Sequence, residues 1–272
     1  MEKDHDGTVG RAPVDHVEGQ AVVDERFHRS SLSSRLIPAP GASGSHGALG
    51  RRRVRRSWLK AGAHGCKGET VATRLYSVVI DCSDPGVLGR WWSEAVGWPI
   101  TFEQPDEVVV EPSEENNTVP ALVFGLVAEP KSLKNRVHVD LASTSTEHQA
   151  ILVERLLRLG AREKDVGQTT GHADVPWVVL ADPDDNEFCV LEPRERYLQR
   201  GPIAAIVVDA AEPASLARFW EAASGWRIGF ESESVVSLHG PGEDLPDLDF
   251  VAMTDARSVK NRVHLDVAPF LR

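Results

Sequence analysis

KNRVHVDL at Lys134–Leu141 returns as KNRVHLDV at Lys260–Val267. Upstream of each copy stands a second echo, VVIDCSDPGVLGRWWSEAVGW at Val78–Trp98 and IVVDAAEPASLARFWEAASGW at Ile206–Trp226. The offset is 128 residues at Asp81/Asp209, Pro85/Pro213, Trp92/Trp220 and Gly97/Gly225, and 126 at His138/His264. Two residues of drift amount to one short loop difference, so both stretches encode the same unit. Repetition at a fixed spacing means duplicated supersecondary structure, and it sets the architecture.

Working outward, Leu75–Asp81 is short, apolar and β-branched, which predicts a strand. Asp84-Pro85 supplies an N-cap and a proline at the first helical position. Val87, Leu88, Trp91, Trp92 and Val96 follow at helical spacing, and Gly97 closes the helix. Strands are predicted near Pro99–Glu103, Glu107–Glu111 and Ala121–Ala128, giving β-α-β-β-β. A second unit opens with a strand at Arg136–Ala142. Thr144 with Glu147 reads as a capping box before Ile151, Leu152, Leu156 and Leu159, with Gly160 ending the helix. Strands follow near Arg162–Val166, Trp177–Ala181 and Glu187–Glu192, the last two joined by the Asp/Asn/Pro turn at Asp182–Asn186.

A third unit runs from Gly201: strand Ile203–Asp209, helix Pro213–Ser224, and strands at Arg227–Glu231, Val235–Leu238 and Leu248–Met253. A strand at Val263–Val267 opens a fourth. The fold class is therefore α+β, tandem βαβββ units. The expected organisation is a complete module at 71–195 and a partial one at 201–272. Measured against residues 142–193, about fifty residues are wanting from the partial module. A second copy of the chain could complete it as a homodimer, since an incomplete half-sheet exposes strand edges.

Residues 1–70 are rich in Gly, Ser, Arg and His and show neither period. They read as a disordered basic tail, with RRRVRRSWLK at Arg51–Lys60. Met1 and Met253 are the only methionines, and Val71 stands just before the first strand. A native start near Val71 is the expectation, which would leave 1–70 as non-native sequence. The net charge of −11 argues against nucleic acid as a partner. No apolar run suits a bilayer. Three cysteines make no disulfide framework, which points to the cytoplasm.

Arg136, His138 and Asp140 alternate with Val137, Val139 and Leu141, so one strand face is polar and the other apolar. Two readings stay open: the polar face lines a ligand cup, or it is a self-satisfied network. Cys189 lies in the last strand of the second unit. Trp177 follows the Gly167–Val175 loop, a candidate cup lip from which His172 could reach a ligand. Glu103 and Glu231 recur but stand in separate copies.

Three motifs in order, D-P-x-x-L-x-x-W-W at Asp84–Trp92, KNRVHVDL, and LADPDDNEFCVLEP at Leu180–Pro193, resemble the vicinal oxygen chelate superfamily. Its members include glyoxalase I, extradiol dioxygenases and bleomycin-resistance proteins. The wording is nearest to the glyoxalase-like branch of actinobacterial type. The resemblance implies a curved mixed sheet forming a cup, with helices on its outer face. It also implies metal ligands in three places: a His in the first strand, a His opening the second unit, and a Glu in its last strand. Here those places hold Ser77 or Ala205, then His138 or His264, and Cys189 in place of Glu. The ligand set is incomplete, so a divalent metal is conceivable as a cofactor but not favoured. A His138/Asp140/Cys189 set is the one alternative, although residues two apart on a strand stand nearly 7 Å apart.

The implied ligand-binding residues are Arg136, His138, Asp140, Cys189, His172 and Trp177; catalytic residues stay unassigned. The implied function is a glyoxalase-like small-molecule protein, a metabolite-modifying enzyme of lyase, isomerase or dioxygenase kind. The alternatives are a non-catalytic binding or resistance protein for an antibiotic or hydrophobic metabolite, and an inactive remnant.

Overall fold

A computed structural model describes residues 73–112, 119–167, 175–254 and 259–269. The expectations for residues 1–70 and for His172 lie outside these. The first unit comprises β1 (Thr73–Cys82), α1 (Pro85–Val96), β2 (Ile100–Gln104), β3 (Glu107–Val110) and β4 (Ala121–Leu126). The second comprises β5 (Val137–Leu141), α2 (Thr146–Arg158), β6 (Arg162–Glu163), β7 (Val178–Ala181) and β8 (Glu187–Val190). The third comprises β9 (Ile203–Ala210), α3 (Pro213–Ser224), β10 (Arg227–Glu231), β11 (Val235–His239) and β12 (Asp247–Ala252), and β13 (Val263–Pro269) follows.

The local chemistry explains the helices. Asp84 accepts a hydrogen bond from the Val87 amide and Pro85 opens α1, while Gly97 ends it at φ 71°. At α2 the cap is Ser145, which accepts from the His148 amide. Thr144, the expected cap, instead pairs with His148 Nδ1. Both are hydroxyl residues, so sequence alone cannot choose between neighbouring positions. The strand expected over Arg162–Val166 shrinks to the pair Arg162–Glu163. Gly89 lets α1 lie close on β3, since a Cβ there would meet Val108 Cγ1 at 2.4 Å.

Strand pairing crosses the order of the units. The eight-stranded sheet runs β10-β11-β12-β9-β5-β8-β7-β6, so it joins the second unit to the third. The other sheet runs β13-β1-β4-β3-β2. The same seam holds both sheets. β5 lies antiparallel on β9 with His138 opposite Val207, and β13 lies antiparallel on β1 with His264 opposite Val79. Lys134 donates to Asp209 Oδ2 at 2.6 Å, and its repeat Lys260 donates to Asp81 Oδ2 at 2.5 Å. Each seam also carries a backbone bond, Asp209 N to Arg136 O at 2.7 Å and Asp81 N to Arg262 O at 2.8 Å.

The core packs α1 against the second unit. Trp91, Trp92 and Phe188 meet edge to face at centroid distances of 5.2 to 5.6 Å. Trp92 Nε1 donates to Asp182 Oδ2 at 3.0 Å, and Trp91 Nε1 to the Leu159 carbonyl at 3.1 Å. Asp182 is fully buried at the start of the Asp182–Asn186 turn, where it also accepts from the Asp184 and Asn186 amides. Asp185 takes φ 67° in that turn, which Asp tolerates.

Trp92→Ala is expected to cost about 3–5 kcal/mol, since it removes a buried ring and one of the donors to the buried Asp182 carboxylate. Phe219→Ala, at a site 62% exposed, should cost under about 0.5 kcal/mol. Urea titration of the two variants checks the contrast; equal losses would contradict this packing.

Candidate functional site

Alternation on β5 sends Val137, Val139 and Leu141 into the core with Leu152 and Leu156 of α2. His138 and Asp140 therefore occupy the opposite, concave face of the eight-stranded sheet. Asp140 pairs in register with Cys189 on β8 and with Ala205 on β9. Ala205 pairs with Asp247 on β12, and Val207, opposite His138, pairs with Asp249. The concave face thus carries a row Cys189–Asp140–Ala205–Asp247 beside a row His138–Val207–Asp249–Ser237.

One donor atom each from His138, Asp140 and Cys189 lies within 4.8 Å of the others. His138 Nε2 stands 3.4 Å from Asp140 Oδ1, which accepts no hydrogen bond. The side chains lean together and close the gap that the strand repeat leaves between their backbones. Burial pushes the Cys189 thiol well up, and the neighbouring Asp140 charge adds to it, so the sulfur stays protonated at neutral pH. Such a thiol is not a nucleophile. Asp249 is buried deeply enough to raise its carboxyl to about 6, against which Ser237 supplies a hydrogen bond. Its Oδ1 lacks a hydrogen-bond partner, as do Glu192 Oε2, Arg196 Nε and His239 Nε2.

The hollow of this face is filled by the chain itself. The connector from β8 to β9 makes a 3-10 turn at Glu195–Tyr197 and seats Tyr197 at 1% exposure. Its ring packs with Ala142, Cys189, Leu191 and Ala204, and with Trp177 and Val179 at the margin. Tyr197 donates to Asp247 Oδ2 at 3.2 Å, and Arg200 Nη1 donates to Asp247 Oδ1 at 2.5 Å. Arg196 reaches both Asp247 at 3.4 Å and Asp249 at 3.8 Å. Gly229 serves the same face from the edge, because a Cβ there would strike the His239 ring at 2.2 Å.

Cys189 and Trp177 of the expected site therefore pack with Tyr197, while His138 and Asp140 converge with Cys189 on the same face. Arg136 does not join them. It precedes β5 and lines a separate cavity of about 590 Å³ at the start of α3. Asp247, Asp249 and Tyr197 were missed by sequence reasoning. The alternation Asp247-Leu248-Asp249-Phe250 carries the same polar-face signal as Arg136–Leu141 and could have found the two aspartates. Nothing local marks Tyr197.

The Asp249 shift has a pH consequence. Its folded value of about 6 exceeds the ordinary 3.8, so between roughly pH 4 and 6 the native state holds a proton the unfolded chain has released. Stability due to this group falls as pH rises through that window. Asp249→Asn should remove the dependence, about 2 kcal/mol between pH 4.5 and 7. Denaturation of both proteins at pH 4.5 and 7 checks it; a difference unchanged with pH would refute the assignment.

The glyoxalase-like domain model matches residues 77–191 and 205–270, more than half of the chain. A comparison with curated proteins finds no match. Among solved structures, glyoxalase I from Zea mays aligns with TM-score 0.53 at 14% identity, covering 73% of this chain and 75% of that one. Two single-substitution variants of the maize enzyme align with TM-score 0.51 at 15% and 16% identity, each covering 73% of this chain and 75% and 76% of theirs. These likenesses concern the fold. With two sheets of βαβββ units and the family model matched over both halves, the chain belongs to the glyoxalase-like domain family.

Proposed function

We propose that this protein acts on a small organic molecule at the concave face of the eight-stranded sheet, as a metabolite-modifying enzyme of lyase or isomerase type. The observation that carries this reading is the convergence of His138, Asp140 and Cys189 donor atoms within 4.8 Å. The donor set suits the divalent metal that the family implies. Imidazole, carboxylate and thiolate are all ligands of zinc, and Asp140 Oδ1 is buried with no hydrogen bond to give up. When bound, such an ion would polarise an oxygen of the ligand.

The chain's own groups account for the rest. Asp249, with a carboxyl near 6, is poised to take or return a proton at neutral pH. Ala205 and Val207 on β9 leave the floor between β5 and β12 small and apolar. Tyr197 and the surrounding Leu191, Trp177 and Val179 exclude water, and a ligand enters only as Tyr197 yields its place.

A second reading is a non-catalytic binder of a hydrophobic compound. It is favoured by the apolar side chains around Tyr197 and by the protonated state of Cys189. Metal analysis of the purified chain separates the two. The enzyme reading expects stoichiometric zinc, nickel or iron, lost in His138→Ala and reduced at least tenfold in affinity in Cys189→Ser. Metal-free protein whose tryptophan emission is quenched by an apolar ligand would sink it in favour of the binder.

A further inference from the structure

Charge on the concave face is divided between two parts of the chain. The acids belong to the sheet, Asp140 on β5 and Asp247 and Asp249 on β12. The row Cys189–Asp140–Ala205–Asp247 and the row His138–Val207–Asp249–Ser237 contain no lysine or arginine. Their basic groups are imidazoles, His138 within the rows and His239 beside them, 3.7 Å from Asp247 Oδ1. The arginines that meet Asp247 and Asp249 belong to the connector between β8 and β9. Arg200 lies 2.5 Å from Asp247, and Arg196 lies 3.4 Å from Asp247 and 3.8 Å from Asp249. Among the described residues the connector's backbone bonds close on itself, Tyr197 N to Arg194 O at 2.8 Å, Leu198 N to Glu195 O at 3.3 Å and Arg200 N to Tyr197 O at 3.1 Å. Side chains tie it to the sheet.

The cover that these arginines give is incomplete. Asp249 is only 9% exposed, yet its Oδ1 has no hydrogen-bond partner among the described residues, and neither has Arg196 Nε. Burial first, and then the charges of Asp247 and Asp140, push the Asp249 carboxyl up to about 6, while the Ser237 hydrogen bond and Arg196 act the other way. A buried carboxylate oxygen left unmet costs free energy that a donor within reach would recover.

We propose that the ligand of the concave face is an organic cation, an ammonium or guanidinium group on an apolar body of aromatic size, seated on Asp247 and Asp249 in the place now held by Tyr197. This ligand class rests on the reading of the concave face as a small-molecule site, and it holds with or without a metal at Asp140. The connector is an internal stand-in for such a ligand. Arg196 Cζ lies 4.5 Å from the Tyr197 ring centroid and Arg200 Cζ 5.4 Å, so a ring and two guanidinium groups enter the hollow together. The ring packs with Leu191, Ala204 and Trp177, and its hydroxyl donates to Asp247 Oδ2. A molecule that displaces Tyr197 carries off Arg196, its neighbour in the chain, and Arg200, one turn further on. The two aspartates stay behind on the sheet. A neutral or anionic occupant would leave them buried without a countercharge, which is strongly unfavourable. A cation restores the pairing and supplies the donor that Asp249 Oδ1 lacks.

Calorimetric titration of the purified full chain tests this, with phenethylammonium as the probe and neutral phenethyl alcohol and anionic hydrocinnamate as its matched analogues. Phenethylammonium should bind about tenfold more tightly than either analogue. Asp249→Asn should bring its affinity down to that of the alcohol. Arg196→Gln removes a competing guanidinium and should strengthen binding of the cation several-fold, a gain that loss of a merely structural arginine would not give. Equal or tighter binding of the alcohol or of hydrocinnamate would overturn the cation class while leaving a small-molecule site standing. A preference for the cation that survives Asp249→Asn would place the probe elsewhere and would also overturn it. Unchanged or weaker binding in Arg196→Gln rejects it as well, and this readout decides alone if Asp249→Asn gives no folded circular dichroism spectrum. Absence of binding by all three probes would equally reject it, whereas the metal content of the purified chain judges the concave face separately.

Discussion

Two antiparallel seams hold this structure, each built from the same pair of sequence elements. In both, a K-N-R-V-H strand lies against the first strand of another unit, and its lysine reaches an aspartate at that strand's far end. An ion pair at a half-exposed seam stabilises modestly. Its larger effect is on register, because a slip of one residue would turn His138 and Asp140 into the helix layer and Val137 and Val139 into the hollow. The backbone bonds from Asp209 and Asp81 fix the same alignment from the main chain.

Everything on the concave face follows from that register. It brings Asp140 level with Cys189 on one side and, across Ala205, with Asp247 on the other. The result is a floor of buried carboxylates whose cationic neighbours Arg196 and Arg200 come from the connector above. Unpartnered polar atoms gather there too: five of the seven buried side-chain atoms without a hydrogen bond among the described residues belong to Asp140, Glu192, Arg196, His239 and Asp249. Buried polar atoms without a protein partner are met by ordered water, an ion or a ligand, or are held under strain.

Much of the scaffold was legible in the chain. Helix α3 starts and stops where the Pro213–Ser224 pattern predicted, because proline, an apolar stripe and Gly225 leave little choice. The caps of α1 behave likewise. Where neighbouring residues share a chemistry, legibility failed, as with Thr144 and Ser145. The candidate site was legible only in its geometry. His138, Asp140 and Cys189 could be named from strand alternation and from the resemblance, and they do converge. Arg136, one residue before its strand, turned to a different cavity. Tyr197 was invisible, since a lone tyrosine in a connector announces nothing until the sheet beneath it exists.

The sequence by itself determined the βαβββ units, their duplication, and the polar face that each K-N-R-V-H strand must carry. Those are properties of short-range periodicity and capping, which every copy of the motif repeats. Tertiary structure alone decided which units share a sheet and that the connector fills the hollow. Such outcomes depend on side chains more than fifty residues apart competing for the same surface, and no local pattern encodes the winner.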